Sequence, residues 1–273
     1  MRGEGLLARL VLVVAALAHP LVGMAACTAH SGPKTTALIE LYTSEGCSSC
    51  PPADRLLASF YQGVGRGTDA VALALHVNYW DAIGWKDPYA QGAFSDRHDW
   101  LVHANHHTVA YTPHFFVNGN EMSSGGGQLR SAVLEVNAQP ASARITLNSA
   151  GTTAGRLSLD AVAQTDEGVG PAALFVAVAE SGLVSNVARG ENRGARLTHD
   201  HVVRSWIGPI SLADKEVRYH RDLELPAGVD RSHIEVIAFV QDQRSGKILQ
   251  TIAVAPCVSV DAAMAGLRAP TSN

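Results

Sequence analysis

Two cysteines separated by two serines, Cys47 and Cys50, constrain the fold of this chain more than any other feature. They follow an apolar segment at residues 36–42, which predicts a strand, and precede two prolines and an apolar-periodic segment, which predict a helix. Two thiols at this spacing close a small disulfide or open to a dithiol. Zinc sites and structural disulfides share the spacing, but the position between a strand and a helix favours thiol–disulfide exchange.

The predicted start of the helix assigns a role to each cysteine. Proline is tolerated only in the first turn of a helix, so the two prolines after Cys50 predict a helix that begins just before them, with Ser48 or Ser49 as its N-cap. Unpaired N–H groups and the helix dipole stabilise a thiolate at such an end. We therefore predict that Cys47 is exposed and attacks, and that the more shielded Cys50 resolves the mixed disulfide.

The elements up to residue 140 follow a thioredoxin-like order. Residues 53–61 have helical periodicity, residues 71–77 form a continuous apolar run typical of a buried strand, and residues 91–107 are long enough for a second helix. A short strand at 114–117, a hairpin signal and a final helix complete the series. This order predicts an α/β thioredoxin-like domain over residues 36–140.

Thr112 and Pro113 stand where a thioredoxin-like fold has a cis proline at the start of its third strand. Pro113 is therefore predicted to be cis, to pack beside the cysteines and to leave backbone free for a substrate strand. Trp80 belongs to a segment with no known catalytic spacing, which is either an aromatic rim or a packed loop. The predicted site has Cys47, Cys50 and Pro113 as catalytic residues, with Thr112 and Trp80 contacting substrate.

After residue 140, short segments alternate between apolar and polar residues, and turn-forming residues separate them. This pattern predicts an all-β domain, antiparallel and sandwich-like, over residues 141–258. The strand candidates that are defined best are 172–180, 217–225, 233–241 and 248–254. Residues 27–35 are predicted to be a linker and residues 259–273 a disordered tail.

The N-terminus has the layout of a secretory signal peptide over residues 1–26. Arg2 and Arg9 flank the start of an apolar run at residues 10–17, and small residues follow. The run is shorter than a membrane span requires, although an N-terminal anchor is the alternative. Cys27 follows a sequence that loosely resembles a lipoprotein cleavage box, so lipid anchoring is a second alternative. We predict an exported protein, periplasmic or extracellular, where disulfides persist.

Composition and histidine spacing limit the classes of partner. A net charge of −4 without a long basic block argues against nucleic acid, and no later apolar run predicts an integral membrane span. Four histidines share one predicted helix: His98, His103, His106 and His107. His103 and His107 have the spacing of two ligands on one helical face, and copper or zinc would suit them. Because no third ligand is identifiable, we predict no metal site and no cofactor.

Five segments together resemble a family of secreted bacterial proteins: residues 40–54, 76–81, 84–88, 111–113 and 117–119. A later run at residues 190–204 is similar to the same family. The family is catalogued as domain of unknown function 1223 and described as thioredoxin-like. The resemblance covers about residues 36–255 and implies the fold and export, but no substrate. His114 departs from the family pattern, in which Gln is expected.

The leading interpretation is an exported thiol–disulfide oxidoreductase that acts on protein thiols or disulfides, together with an unidentified redox partner. The alternatives are a non-enzymatic secreted binding module with a structural disulfide and a copper-handling thioredoxin-like protein. A measured reduction potential separates the first two interpretations, because structural disulfides in secreted proteins typically lie below about −300 mV.

Three further expectations concern single residues or segments. Asp81 is a candidate proton acceptor for the buried thiol of Cys50. Cys27, if it is not lipidated, is predicted to pair with Cys257. Residues 189–204 concentrate polar side chains in a segment of plain strands, so this segment is predicted to face the dithiol and to stabilise its thiolate with cations. The alternative for that segment is a solvated hairpin.

Overall fold

The computed structural model of the chain describes residues 27–63, 65, 69–122, 128–151 and 156–255. The predicted signal peptide and the predicted tail lie outside these residues. The chain forms a mixed α/β structure in which an eight-stranded sheet, a four-stranded sheet and a separate two-stranded sheet carry most of the backbone pairing.

The α-helices of the described residues all precede residue 140. They are α1 (Cys50–Ala58), α2 (Gly92–Ala104) and α3 (Leu129–Ala138), with 3₁₀ turns at Tyr79–Ile83 and Arg231–His233. The strands are β1 (Cys27–His30), β2 (Ala37–Thr43), β3 (Ala70–His76), β4 (His114–Val117), β5 (Asn120–Glu121), β6 (Ala143–Gly151), β7 (Leu157–Thr165), β8 (Ala172–Glu180), β9 (Leu183–Asn186), β10 (Arg196–His199), β11 (Val202–Ser211), β12 (Glu216–Leu223), β13 (Ile234–Asp242) and β14 (Ile248–Val254).

The eight-stranded sheet has the order β14-β13-β8-β11-β3-β2-β4-β5. Its central strands β2 and β3 are parallel, and β3 also pairs with β11 in parallel. Every residue of β2 is buried, as are all residues of β3 after its first. A strand buried on both faces is typically a near-continuous apolar run, which is why the run at residues 71–77 predicted the position of β3.

The sheet continues across the predicted domain boundary at residue 140. Strands β8, β11, β13 and β14 come from the segment predicted to be a separate all-β domain, yet β11 joins them to β3. The backbone amide of Ala74 donates to the carbonyl of His201 at this junction, with an N···O distance of 2.8 Å. Both segments therefore share one hydrogen-bonded sheet.

Each face of the large sheet is covered by a different set of elements. On one face, α2 buries Phe94 and Leu101 against apolar residues of β2, β3, β8 and β13. On the other face, α1 and α3 bury Leu57 and Val133 against β2 and β4. The four-stranded sheet covers the β8 and β13 end of that second face.

The four-stranded sheet has the order β1-β6-β7-β12, and all its neighbours are antiparallel. Its first strand, β1, lies inside residues 27–35, which the sequence predicted to be a linker. The four residues of β1 pair with β6 in the register that places Cys27 opposite Ser149. Its residues alternate between half-buried and exposed, but a run of four residues is too short for this alternation to be recognised in the sequence.

A buried ion pair links α2 to two strands of the large sheet. The Arg97 guanidinium donates from Nε and Nη2 to the two carboxylate oxygens of Glu40 at 2.6 and 3.0 Å, and from Nη1 to Oε1 of Gln241 at 2.9 Å. It also lies 5.0 Å from the Trp206 ring centroid. Charges inside a protein need a partner, and here each carboxylate oxygen has one.

No helix of the described residues is long and apolar enough to cross a membrane.

Cys27 is itself disulfide-bonded, and its predicted partner, Cys257, lies outside the described residues. A non-reducing digest of the purified protein is expected to yield a peptide that joins Cys27 to Cys257. On reduction, the cross-linked peptide should separate into two peptides, one with Cys27 and the other with Cys257. Rapid alkylation of Cys257 without a reductant would contradict this pairing.

Candidate functional site

The cysteine pair lies between β2 and α1 and is closed as a disulfide, with a Cα–Cα distance of 5.4 Å. The helix begins at Cys50, with Ser49 as its N-cap and prolines in its first turn. The predicted start of the helix is therefore confirmed. Cys47 comes two residues before the N-cap, and its Sγ lies 3.4 Å from Oγ of Ser49.

Both cysteines are buried, each with 0% of its surface exposed. The prediction that Cys47 is exposed is wrong. The reason is tertiary: a hairpin from the second half of the chain reaches the loop that carries Cys47. Local sequence around the pair contains no information about this covering segment.

The covering segment, called here the cover hairpin, consists of β9, β10 and the tip between them at residues 187–195. Among the strands that the structure describes, β9 and β10 pair only with each other, as a two-stranded sheet separate from the two larger sheets. Backbone bonds close the tip on itself: Gly194 N donates to the carbonyl of Val187 at 2.7 Å, and Ala195 N to that of Asn192 at 3.0 Å. The tip is thus a self-contained turn.

Two side chains of the tip bind the loop that precedes α1. Oε2 of Glu191 accepts from the backbone amide of Ser48 at 3.0 Å and from its hydroxyl at 2.7 Å. Nδ2 of Asn192 donates to the carbonyls of Glu45 and Cys47, both at 2.9 Å. The hydroxyl and then the amide of Ser48 lower the pKa of Glu191, so this carboxyl is an anion at neutral pH.

The prediction that residues 189–204 face the cysteine pair is confirmed, but the predicted chemistry is not what the structure shows. At the tip, an acid and an amide contact the cysteine loop, whereas Arg193 makes no side-chain hydrogen bond to that loop among the described residues. On β10, Nε2 of His199 lies 3.1 Å from Oε1 of Glu45 in the same loop. The arginines and histidines in the sequence therefore identified the right segment, in which a histidine contacts the cysteine loop and Arg193 does not.

An apolar contact supports the same tip. Gly190 has a φ of +74°, and a Cβ added there would meet Cβ of Trp85 at 3.2 Å. The positive φ favours glycine at this position, and the short distance to Trp85 leaves little room for a side chain. Trp85 in turn donates its indole N–H to Oε2 of Glu45 at 2.7 Å. The segment around Trp85, which had no catalytic spacing in the sequence, thus packs against the tip of the cover hairpin.

A cluster of buried ionisable groups lies beneath the cysteine loop. Oε1 of Glu45 lies 3.1 Å from Nε2 of His199, and Oδ2 of Asp87 accepts from the Glu45 amide at 2.8 Å. The same oxygen lies 2.7 Å from Nδ1 of His76. Burial lowers the pKa of His76, but the Asp87 carboxylate more than offsets this effect, so the net pKa is raised. The pair His76–Asp87 is therefore held as an ion pair.

Asp54 lies one helical turn after Cys50 on α1. Side chains four residues apart on a helix are neighbours, about 5–6 Å apart at Cβ. Oδ1 of Asp54 accepts from the hydroxyl of Thr43 at 2.7 Å. Burial raises the pKa of the Asp54 carboxyl, although His76 and Thr43 act in the opposite direction. A carboxyl with a raised pKa one helical turn from Cys50 is suited to exchange a proton with the thiol that Cys50 would carry in the reduced pair.

Asp81, the proton acceptor expected from sequence, has a different contact. Its Oδ1 accepts from the backbone amide of Asp87 at 3.1 Å, so it stabilises the loop that carries Asp87. The signal that identifies Asp54 instead is the spacing of four residues from Cys50 on the same helix.

The Thr112–Pro113 peptide bond is cis, as the sequence predicted. The indole N–H of Trp80 donates to Oγ1 of Thr112 at 2.7 Å. A Cβ added at Gly46 would lie only 3.1 Å from Cβ of Trp80, so the residue before Cys47 packs against this tryptophan. Trp80 therefore connects the segment that ends in Pro113 to the loop that carries the cysteine pair.

His103 and His107, whose spacing would suit two ligands on one helical face, do not lie on the same helix. The helix predicted over residues 91–107 ends at Ala104, and His106 has a φ of +63°. Nε2 of His107 lies 3.1 Å from Oε2 of Glu121, whereas Nδ1 of His103 contacts the carbonyl of Asp99 at 2.7 Å. Among the described residues, no group of three or more histidine, cysteine or acidic side chains is arranged to hold a metal ion.

A cavity of about 450 Å³ lies between α3 and the β4–β5 hairpin. Its described walls include Val117, Met122, Ser131 and Lys247, and neither cysteine. Size alone would favour this cavity as a binding site. The disulfide, the cis proline and the buried ionisable cluster favour the cysteine pair instead.

The fold and the site define a class: a mixed α/β protein with a buried Cys-Ser-Ser-Cys disulfide at the start of a helix, under a cover hairpin. The family model described as "Protein of unknown function (DUF1223)" matches residues 38–241. The chain belongs to this family, as the sequence resemblance implied.

Two solved structures share the fold. A structural-genomics protein of Agrobacterium tumefaciens superposes with a TM-score of 0.55 at 24% identity, over 82% of this chain and 96% of that chain. The protein HBP35 of Porphyromonas gingivalis superposes with a TM-score of 0.62 at 16% identity, over 83% of this chain and 76% of that chain. No curated protein matches the chain.

Proposed function

We propose that the protein is a thioredoxin-like thiol–disulfide oxidoreductase that acts on protein thiols or disulfides. The observation that carries the proposal is the Cys47–Cys50 disulfide at the first residue of α1. The cis bond before Pro113, linked to the cysteine loop through Trp80, supports it.

The proposed reaction follows from the positions of the two sulfurs. A thiolate of the substrate attacks Sγ of Cys47, the Cys47–Cys50 bond breaks, and Cys50 leaves as a thiolate that takes a proton from Asp54. A second substrate thiolate then attacks the substrate sulfur of the mixed disulfide and releases Cys47 as a thiolate. The substrate gains a disulfide, and the cysteine pair gains two electrons. The reverse sequence reduces a substrate disulfide.

We expect the Asp54→Asn substitution to slow the step in which Cys50 resolves a mixed disulfide at Cys47 by about 10- to 100-fold at neutral pH. Cys50 is buried, so its proton needs an acceptor inside the protein, and asparagine cannot take one. Rapid-mixing kinetics of the reduced protein with a chromogenic disulfide measure this step.

The matched control is Asp81→Asn, because Asp81 was the acceptor expected from sequence and its Oδ1 accepts from the backbone amide of Asp87. Asparagine keeps that acceptor oxygen, so the rate should stay within about twofold. Equal losses in both variants would show that the effect comes from general loss of charge near the site, and an unchanged rate in Asp54→Asn would reject Asp54 as the acceptor.

The reduction potential of the pair tests the proposed function as a whole. A value above about −300 mV supports exchange with substrates. The full burial of both cysteines specifically favours the second candidate, a secreted binding module with a structural disulfide. A potential below that limit, together with no mixed disulfide in cells, would select the second candidate and reject the first.

We also propose that the protein is exported, since a lasting disulfide needs an oxidising compartment and the N-terminus has signal-peptide composition. N-terminal sequencing of the protein from the periplasm or medium is expected to begin near Cys27. Recovery from the cytoplasm of a protein that still carries its first 26 residues would contradict export.

A further inference from the structure

The carboxylate of Glu191 binds Ser48, which follows Cys47 and precedes the N-cap Ser49 of α1. Its Oε2 accepts from both the amide and the hydroxyl of Ser48. Like charges that lie close together disfavour each other, so we expect this carboxylate to disfavour a thiolate on the neighbouring Cys47.

The tip that carries Glu191 is held to the cysteine loop by few bonds. Besides Glu191, Asn192 donates to the carbonyls of Glu45 and Cys47. The backbone of the tip is bonded to itself, and β9 and β10 form a separate small sheet. Lifting the tip therefore breaks side-chain hydrogen bonds and leaves both large sheets intact.

The base of the cover hairpin has its own anchors. His199 on β10 contacts Glu45 at 3.1 Å, and the hydroxyl of Ser185 on β9 lies 3.3 Å from that of Tyr89. His199 is buried, whereas Glu191 is exposed. This difference places the movable part at the tip and the fixed part at the strands.

We propose that Glu191 is a positioning residue that latches the cover hairpin over the Cys47–Cys50 disulfide, so that thiols reach the pair only when this carboxylate leaves Ser48. The inference rests on the proposed function for its biological purpose. The latch would limit the access of thiols to the disulfide and the stability of the Cys47 thiolate. The rate of reduction by a small thiol measures this access, whatever the natural substrate is.

The first experiment measures the rate at which dithiothreitol reduces the disulfide in the full-length mature protein. We expect Glu191→Ala to accelerate reduction about tenfold or more, since a charge-assisted hydrogen bond is lost. Glu191→Gln keeps an acceptor without the charge and should give an intermediate rate. The matched control is Arg193→Ala on the same tip, which should stay within about twofold of the native rate.

The second measurement distinguishes the latch from a purely structural role. In the reduced Cys50→Ser background, thiolate absorbance reports the pKa of Cys47. Removing the neighbouring anion with Glu191→Gln should lower this pKa by several tenths of a unit or more, while Arg193→Ala should not lower it. Thermal unfolding of each variant confirms that the fold is retained.

Reduction rates for Glu191→Ala and Glu191→Gln that both stay within twofold of the native protein would overturn the latch. Acceleration in Arg193→Ala equal to that in Glu191→Ala would also overturn it, since any change at the tip would then suffice. If the latch variants accelerate reduction but the potential lies below about −300 mV, the latch stands and the proposed exchange function falls.

Discussion

Replacing Cys50 by serine in the reduced protein is expected to trap a stable mixed disulfide through Cys47, whereas Cys47→Ser is expected to trap none. Cys47 lies before the N-cap, where a thiolate is stabilised, and Cys50 lies inside α1. Without Cys50 no internal sulfur can release the bound substrate. Non-reducing electrophoresis and peptide mapping of complexes from cells measure the trapped fraction, which should differ at least tenfold between the two variants.

The double variant Cys47→Ser/Cys50→Ser is the control for contaminating disulfides. Trapping by Cys47→Ser through Cys50 would reverse the assigned roles. Equal trapping in the single variants would mean that the helix start does not distinguish the two sulfurs. Both outcomes are visible in the same experiment, because peptide mapping identifies the sulfur that holds the partner.

Replacing Arg97 by methionine is expected to lower the free energy of unfolding by about 3–5 kcal/mol, because the carboxylate of Glu40 would remain buried without its cation. In a protein of this size such a loss lowers the melting temperature by about 10 °C. Urea unfolding followed by circular dichroism measures the free energy.

Two controls isolate the buried charge. The double variant Glu40→Gln/Arg97→Met removes both charges and should recover part of the loss. Arg144→Ala removes one partner of an exposed pair, whose distance to Asp166 is 2.8 Å, and should cost less than about 1 kcal/mol. A loss at Arg97 no larger than at Arg144 would show that water reaches Glu40 once the guanidinium is gone.

Features encoded by nearby residues were predictable from the sequence. The start of α1 followed from the steric limits of two consecutive prolines, and the apolar run of β3 followed from burial on both faces. The parallel pairing of β3 with β11 was not predictable in this way. It joins residues far apart in the chain, and no local periodicity records which strand edge will meet another.

The candidate site also combines features that nearby residues encode with features that depend on distant segments. Cys47, Cys50 and the cis bond before Pro113 were identified from spacing and order. The burial of Cys47 was missed, because it depends on a tip supplied by residues 187–195. A glutamate in a polar segment is not distinguishable by sequence from any solvated acid, so Glu191 became identifiable only through its contact with Ser48.

The pairing of β3 with β11 also determines when the chain can acquire its structure. During synthesis, β2 and β3 are complete long before β11, so one edge of β3 remains unpaired and apolar until residues 202–211 are available. Unpaired strand edges invite association with other chains, and sheets that join distant segments fold slowly. We therefore expect nascent chains that end before residue 202 to aggregate or to stay bound to chaperones, and folding to complete only after most of the chain has been made.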